Sequence, residues 1–188
     1  ALAALDFDAG VLADPLPGPL GESLQRSAHV LSGSVAERDE LRRRVLHQAT
    51  HDALTGLHNR GAALESLDRA LERARHLGRG VAALVLDLHD FKRTNDTYGQ
   101  AFGDQLLTHV ARRVVRCSET SSIVARVGSD EFLVVAEDVT GPDAVIVLAR
   151  RLAEAVAAPF HIEGTTVTAA ACVGIAFSFD GATDPDQL

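Results

Sequence analysis

The chain has 188 residues, with 18 Lys and Arg against 26 Asp and Glu, and a formal net charge of −8. Its 46% apolar and 23% charged residues suffice for a packed core and argue against intrinsic disorder. The acidic balance argues against a protein that grips a nucleic-acid polymer through a basic face, but not against a nucleotide whose phosphates are bridged by divalent cations. The longest apolar runs, Val81–Leu86 and Val167–Ala176, fall short of the ~18 residues that a membrane span needs. Asp6 and Asp8 are unlike the basic start of a signal peptide, so the expected location is cytoplasmic, with an anchor elsewhere in a longer protein left open. The sequence begins at Ala1 and contains no Met, which suggests a piece of such a longer protein. Cys117 and Cys172 stand far apart and read as two reduced thiols.

Residues 1–19 end in Asp14-Pro15-Leu16-Pro17-Gly18-Pro19, a linker or the end of an upstream module. From Leu20 to Gln48 the pattern is helical. Leu24, Ala28, Leu31 and Val35 follow the 4-3-4 spacing of a coiled-coil seam, and Arg38 and Arg42 interrupt it before Leu41 and Val45 restart a shifted stripe. Residues 20–49 are therefore either a dimerising, signal-passing stalk or a lone amphipathic helix.

Residues 50–188 change to a mixed order. Ala62–Leu77 predicts a helix stopped by Gly78 and Gly80, followed by a buried strand at 81–86. Asp104–Val115 predicts a second helix, Ile123–Val127 and Phe132–Ala136 a hairpin, and Pro142–Ala157 a third helix. Strand material at Thr165–Phe177 is expected to break at Gly174. The sum is an α+β, βαββαβ, ferredoxin-like sheet with an antiparallel component, its helices expected on one side.

Chemistry gathers at the ends of these strands. Asp87 follows the buried run 81–86, where a carboxylate is poorly placed for packing and well placed for a metal. Asp130 and Glu131 stand between two apolar strands, in Gly128-Ser129-Asp130-Glu131-Phe132, and are expected to face Asp87 across neighbouring strands. A carboxylate from each strand suits Mg²⁺, which takes its remaining ligands from phosphates and water. Gly128 is expected to supply the positive φ of a turn. His47 and His51, four residues apart, lack the third His or Cys of a metal site. Asp52 is expected to hydrogen-bond the segment leading into the domain, and Arg126 to pair acidic groups near the turn.

Three blocks, in order, resemble the GGDEF family of diguanylate cyclases. Asp52-Ala53-Leu54-Thr55-Gly56-Leu57-His58-Asn59-Arg60 matches its D-x-L-T-G-L-x-N-R segment. Asp87-Leu88-His89-Asp90-Phe91-Lys92-Arg93-Thr94-Asn95-Asp96, then Gly99 and Gly103-Asp104, resembles its D-x-D-x-F-K-x-x-N-D block, and Gly128–Phe132 its signature turn. The resemblance implies a palm-like nucleotide-cyclase fold and a reaction that joins two GTP into cyclic di-GMP with release of two pyrophosphates, across a domain dimer held through helix 20–48. It implies Mg²⁺ or Mn²⁺ held by Asp87, the Leu88 carbonyl and Asp130, with Glu131 assisting at the metals or at the attacking hydroxyl. Lys92 and the backbone near Asp90 and Phe91 would hold phosphates, Gly128 and Ser129 would pass close to the nucleotide, and Asn95 and Asp104 would read guanine. A site that hydrogen-bonds the guanine donors rejects an analogue lacking them by about 10⁴ or more. Asp104 also has the composition of an N-cap for the helix after it.

Ser129 replaces the second glycine of the signature, and His89 the second acid of D-x-D, where it reads as an outward-facing strand-end residue. The R-x-x-D inhibitory site of many family members is replaced by Glu119-Thr120-Ser121-Ser122, and the family's final helix is missing. Two functions follow: an active diguanylate cyclase, or a degenerate GTP-binding module regulating a linked phosphodiesterase domain.

Overall fold

The computed structural model describes residues 19–118 and 122–178, the side chains of 19–32, 43 and 44 excepted. Of the expected linker at 1–19, residues 1–18 lie outside what is described and Pro19 begins the first helix; the side chains of the seam residues Leu24, Ala28 and Leu31, and Glu119–Ser121 of the replaced inhibitory site, also lie outside it. The chain divides into two compact units, one ending at Ala49 and one beginning at Thr50. The first contains α1 (Pro19–Thr50) except its last residue, and Val35, Leu41, Val45 and Leu46 of this helix are exposed. No described helix is long and apolar enough to cross a membrane.

The second unit runs α2 (Arg60–Leu77), β1 (Gly80–Leu88), α3 (Phe91–Tyr98), α4 (Gln100–Cys117), β2 (Ile123–Arg126), β3 (Glu131–Val139), α5 (Pro142–Ala157), β4 (Phe160–Ile162), β5 (Thr165–Val167) and β6 (Ala171–Ser178). The main sheet has the order β2-β3-β1-β6, every neighbouring pair antiparallel. Two β-α-β units therefore interlock, each placing a strand between the two of the other, as the ferredoxin-like reading anticipates.

The helices cover both faces, contrary to the one-sided expectation. Leu84, Leu86 and Leu88 of β1 share a buried cluster with Leu106, Leu107 and Val110 of α4 and Leu148 and Leu152 of α5. Val81 and Ala83, one residue out of phase, pack with Ala63, Leu67 and Leu71 of α2. A strand buried on both faces must be apolar at consecutive positions, so the unbroken run at 81–86 already carried this information.

Local chemistry sets the boundaries. Asn59 caps α2, its side chain accepting the Ala62 N–H at 3.0 Å. Gly78 ends α2 in the left-handed region at φ 62°, whereas Gly80 already pairs with Val139 and is no part of the stop. Gly174 does not break β6; it pairs with Val85, and a side chain there would meet only the Val85 carbonyl, at 3.9 Å. The interruption lies at 168–170, preceded by the hairpin β4–β5, whose Glu163 and Gly164 both have positive φ, as a tight two-residue turn requires.

Arg113 of α4 fastens this region. Its guanidinium donates to the Ala155 carbonyl at 2.9 Å and to those of Ala158 and Pro159, and lies 3.5 Å over the Phe160 ring. The carbonyls at the end of α5 lack helical donors, so one cation satisfies three acceptors and ties α4, α5 and β4 together. Arg113→Ala is expected to destabilise the unit by about 2–4 kcal/mol, with Arg113→Lys recovering only part, as read from urea unfolding.

Candidate functional site

The β1–β3 register builds the site. It pairs Leu86 with Phe132 and Asp87 with Glu131. One step further, the Leu88 N–H donates to the Asp130 carbonyl at 3.2 Å. Asp87 and Glu131 thus share the α2 face of the sheet, past the point where α2 covers it, and Asp87 is exposed. The expectation that both acids face Asp87 needs refinement: Glu131 is its direct partner, while Asp130 lies beside Glu131 in the bend, opposite Leu88.

The bend is closed by the Val127 N–H donating to the Glu131 carbonyl at 2.9 Å. Gly128 is not in the left-handed region, contrary to the turn expectation. A Cβ there would instead crowd Glu131, meeting its carboxylate and coming within 3.2 Å of its Cβ, so a larger residue would make that side chain shift. Ser129 is exposed, and its hydroxyl donates to Asp130 Oδ1 at 2.5 Å.

Past β1 the chain turns at Asp90 (φ 55°) and enters α3, whose first turn receives no side-chain cap. Uncapped N–H groups and the positive end of the helix favour an anion, and Lys92 adds a charge in the same turn. Among the described residues nothing in the chain engages the Lys92 ammonium or the carboxylates of Asp87 and Asp104. Gly99, at φ 86°, joins α3 directly to α4. Asp104 is therefore not the N-cap of α4: the helix begins at Gln100, and the Asp104 carbonyl accepts the Thr108 hydroxyl at 3.0 Å. Asn95 lies on α3, with its side-chain oxygen buried and without a partner. That oxygen rests against the bare Cα of Gly103, where any side chain would displace it. Asn95 is thereby packed against the residue that precedes Asp104 in α4.

The donor set is suited to a hard divalent cation. Asp87, the Leu88 carbonyl and Asp130 are all oxygen donors at one strand end, and no group of three His, Cys, Asp or Glu side chains able to hold a metal occurs among the described residues.

The sequence model of the diguanylate cyclase GGDEF domain matches residues 49–188. The chain belongs to the GGDEF family. It is 37% identical over 160 residues to the cyclic di-GMP phosphodiesterase PdeR of Escherichia coli K12, covering 85% of this chain and 24% of that protein. It is 41% identical over 127 residues to the cyclic di-GMP phosphodiesterase NbdA of Pseudomonas aeruginosa, covering 68% of this chain and 16% of that one. The chain thus spans about a quarter or less of these curated relatives. Among solved structures, the coiled coil and GGDEF domain of Caulobacter crescentus DgcB, in complex with c-di-GMP, superposes with a TM-score of 0.76 at 27% identity, over 86% of each chain. The GGDEF domain of P. aeruginosa PA1120 gives 0.70 at 33% identity, covering 73% of this chain and 80% of that one.

Not every predicted residue of this GGDEF domain shares one hollow. Asp90 and Phe91 line a cavity of about 380 Å³ with His89, Arg93, Thr94 and Thr97. Asp104 lines a different one of about 300 Å³, with Leu54, Thr108 and Arg112. His89 is outward-facing, as expected, 3.4 Å from the Asp90 carboxylate. His51 is not helical; its ring lies 4.7 Å from that of His58.

The link that sequence reasoning missed joins the first family block to the signature turn. Arg126 donates through Nη1 to the Asp52 carboxylate at 3.2 and 3.3 Å, and through Nη2 to the Ser129 carbonyl at 2.6 Å. Asp52 also accepts the Thr55 hydroxyl at 2.6 Å and the Thr55 N–H at 2.9 Å. Residues 74 positions apart carry no periodic signal of contact. Burial alone would push the Asp52 carboxyl up, but Thr55 and Arg126 outweigh it and hold it below the usual carboxylate value. A depressed folded pKa contributes stability that is present above the unfolded carboxylate pKa and lost as pH falls through the folded one. Asp52→Asn is expected to cost about 1–2 kcal/mol near neutral pH and to flatten the loss of stability below about pH 4, as urea unfolding across pH will show.

Proposed function

We propose that this domain is a diguanylate cyclase that condenses two GTP into cyclic di-GMP and two pyrophosphates, acting as a homodimer. The observation that supports it best is the strand register: it gathers Asp87, the Leu88 carbonyl, Asp130 and Glu131 at one end of β1–β3, directly before the anion-attracting first turn of α3.

In this reading Asp87, the Leu88 carbonyl and Asp130 hold Mg²⁺ or Mn²⁺. When bound, the ion supplies charge neutralisation for the triphosphate and the leaving pyrophosphate. Lys92 and the α3 N–H groups orient the terminal phosphates. Glu131 assists at the metal or takes the proton of the attacking 3′-hydroxyl. Gly128 leaves room for the Glu131 carboxylate, Ser129 lies along the nucleotide, and Asp90 and Phe91 carry the backbone that meets the phosphates. Asn95 and the Asp104 carboxylate read the guanine edge; adenine presents no matching donor pair and leaves Asp104 unpaired. Each domain binds one GTP, so two must face each other, and the exposed apolar residues of α1 are the proposed dimerising seam.

A second reading rests on the relatives named as phosphodiesterases and on Ser129 in the signature: a GTP-binding GGDEF module regulating a linked phosphodiesterase domain. Incubation with GTP and Mg²⁺, followed by chromatography for cyclic di-GMP and pyrophosphate, separates the two. Turnover is expected, reduced at least 100-fold by Asp130→Ala. Asp104→Ala is expected to erode the preference for GTP over ATP. Tight GTP binding without product in a dimeric sample would favour the regulatory module.

A further inference from the structure

The serine in the signature turn reads as a defect only if it stands idle, and it does not. Three hydrogen bonds pin the main chain around it: Arg126 to the Ser129 carbonyl at 2.6 Å, the Leu88 N–H to the Asp130 carbonyl at 3.2 Å, and the Val127 N–H to the Glu131 carbonyl at 2.9 Å. Between these anchors the Ser129 hydroxyl donates to Asp130 Oδ1 at 2.5 Å, in the range of a charge-assisted bond. Glycine at this position has no group to make it.

We propose that Ser129 is a positioning residue that fixes the Asp130 carboxylate for single-oxygen metal coordination and so biases the site toward Mg²⁺ and Mn²⁺ over Ca²⁺. The inference rests on the reading of Asp130 as a metal ligand. With one acceptor position of Oδ1 engaged by the hydroxyl, Oδ2 is the less engaged oxygen, and the carboxylate is biased against chelating through both atoms. Small octahedral cations accept single-oxygen ligation, whereas the larger Ca²⁺ readily takes a carboxylate through both oxygens. Hydrogen-bonding partners of metal ligands commonly set affinity by 10–100-fold. Since Ser129 is exposed and packs no core, its removal tests the hydroxyl rather than the fold.

The test is Mn²⁺ titration of the whole 188-residue chain followed by EPR, with Ca²⁺ as competitor and thermal unfolding in parallel. Ser129→Ala and Ser129→Gly are expected to weaken Mn²⁺ binding about tenfold and to lower the Mn²⁺-over-Ca²⁺ preference, while Ser129→Thr, which keeps the hydroxyl, stays near the parent. Unchanged Mn²⁺ affinity and preference in Ser129→Ala, or a threonine variant that behaves as the alanine one, overturns the proposal. Asp130→Asn separates the two levels. If it abolishes Mn²⁺ binding and Ser129→Ala changes nothing, only the role of Ser129 falls. If it leaves Mn²⁺ binding intact, the metal-site reading falls and the proposal with it.

Discussion

The antiparallel register between β1 and β3 is the constraint on which the candidate site depends. It runs from Ala82–Ala136 to Asp87–Glu131 without a slip. Side chains alternate across a strand, so a shift of one residue would turn Leu84 and Leu86 out of the α4–α5 core and carry Asp87 to the opposite face. The same apolar packing that makes the sheet therefore determines where the carboxylates stand. Phe132, fully buried next to Glu131, couples the two most closely, since the signature turn cannot drift while its last residue is locked in the core.

The register leaves the bend itself underdetermined, because Asp130 precedes the first residue of β3. Arg126 removes that freedom. Its Nη2 fixes the Ser129 carbonyl and its Nη1 reaches Asp52, whose carboxylate is already turned toward Thr55. The backbone of Arg126 contributes as well, its N–H donating to the His58 carbonyl at 2.8 Å. The segment leading into the domain is thus a structural wall of the signature turn as well as a connector.

Much of the fold was legible because its signals are local or periodic. The run 81–86 is apolar at every position, and helices α2, α4 and α5 show their buried stripes in sequence. What was not legible fails for identifiable reasons. The strands β4 and β5 are three residues each, too short to carry a period, and Glu163 gives no hint of its positive φ. Gly174 looks like a break and is not, because β1 supplies its pairing on one side. Asp104 resembles an N-cap, but Gly99 starts α4 earlier by taking a positive φ of 86°. At the site, the residues that share the strand end could be named from the motif order; the distances that connect Asp52, Arg126 and Ser129 could not, since nothing in sequence reports which carbonyl a guanidinium will reach.

The two replacements within the motifs differ in physical consequence, and the difference bears on how degeneracy is judged in this family. His89 is exposed, its ring pairs with the neighbouring Asp90 carboxylate and its backbone N–H donates to the Ala170 carbonyl, so among the described residues the side chain at this position engages Asp90 and neither Asp87 nor the bend. Ser129 instead lies between two pinned residues and touches a carboxylate of the proposed metal site. A motif score weighs both departures alike, whereas geometry weighs only the one that reaches a ligand atom. A change that adds a hydrogen bond to a charged ligand retunes a site, and one that adds only bulk blocks it. With Gly128 retained for the Glu131 carboxylate and Gly103 for Asn95, the positions where added bulk would collide with site residues are still glycine, and the one serine admitted is at an exposed position where its hydroxyl has a partner.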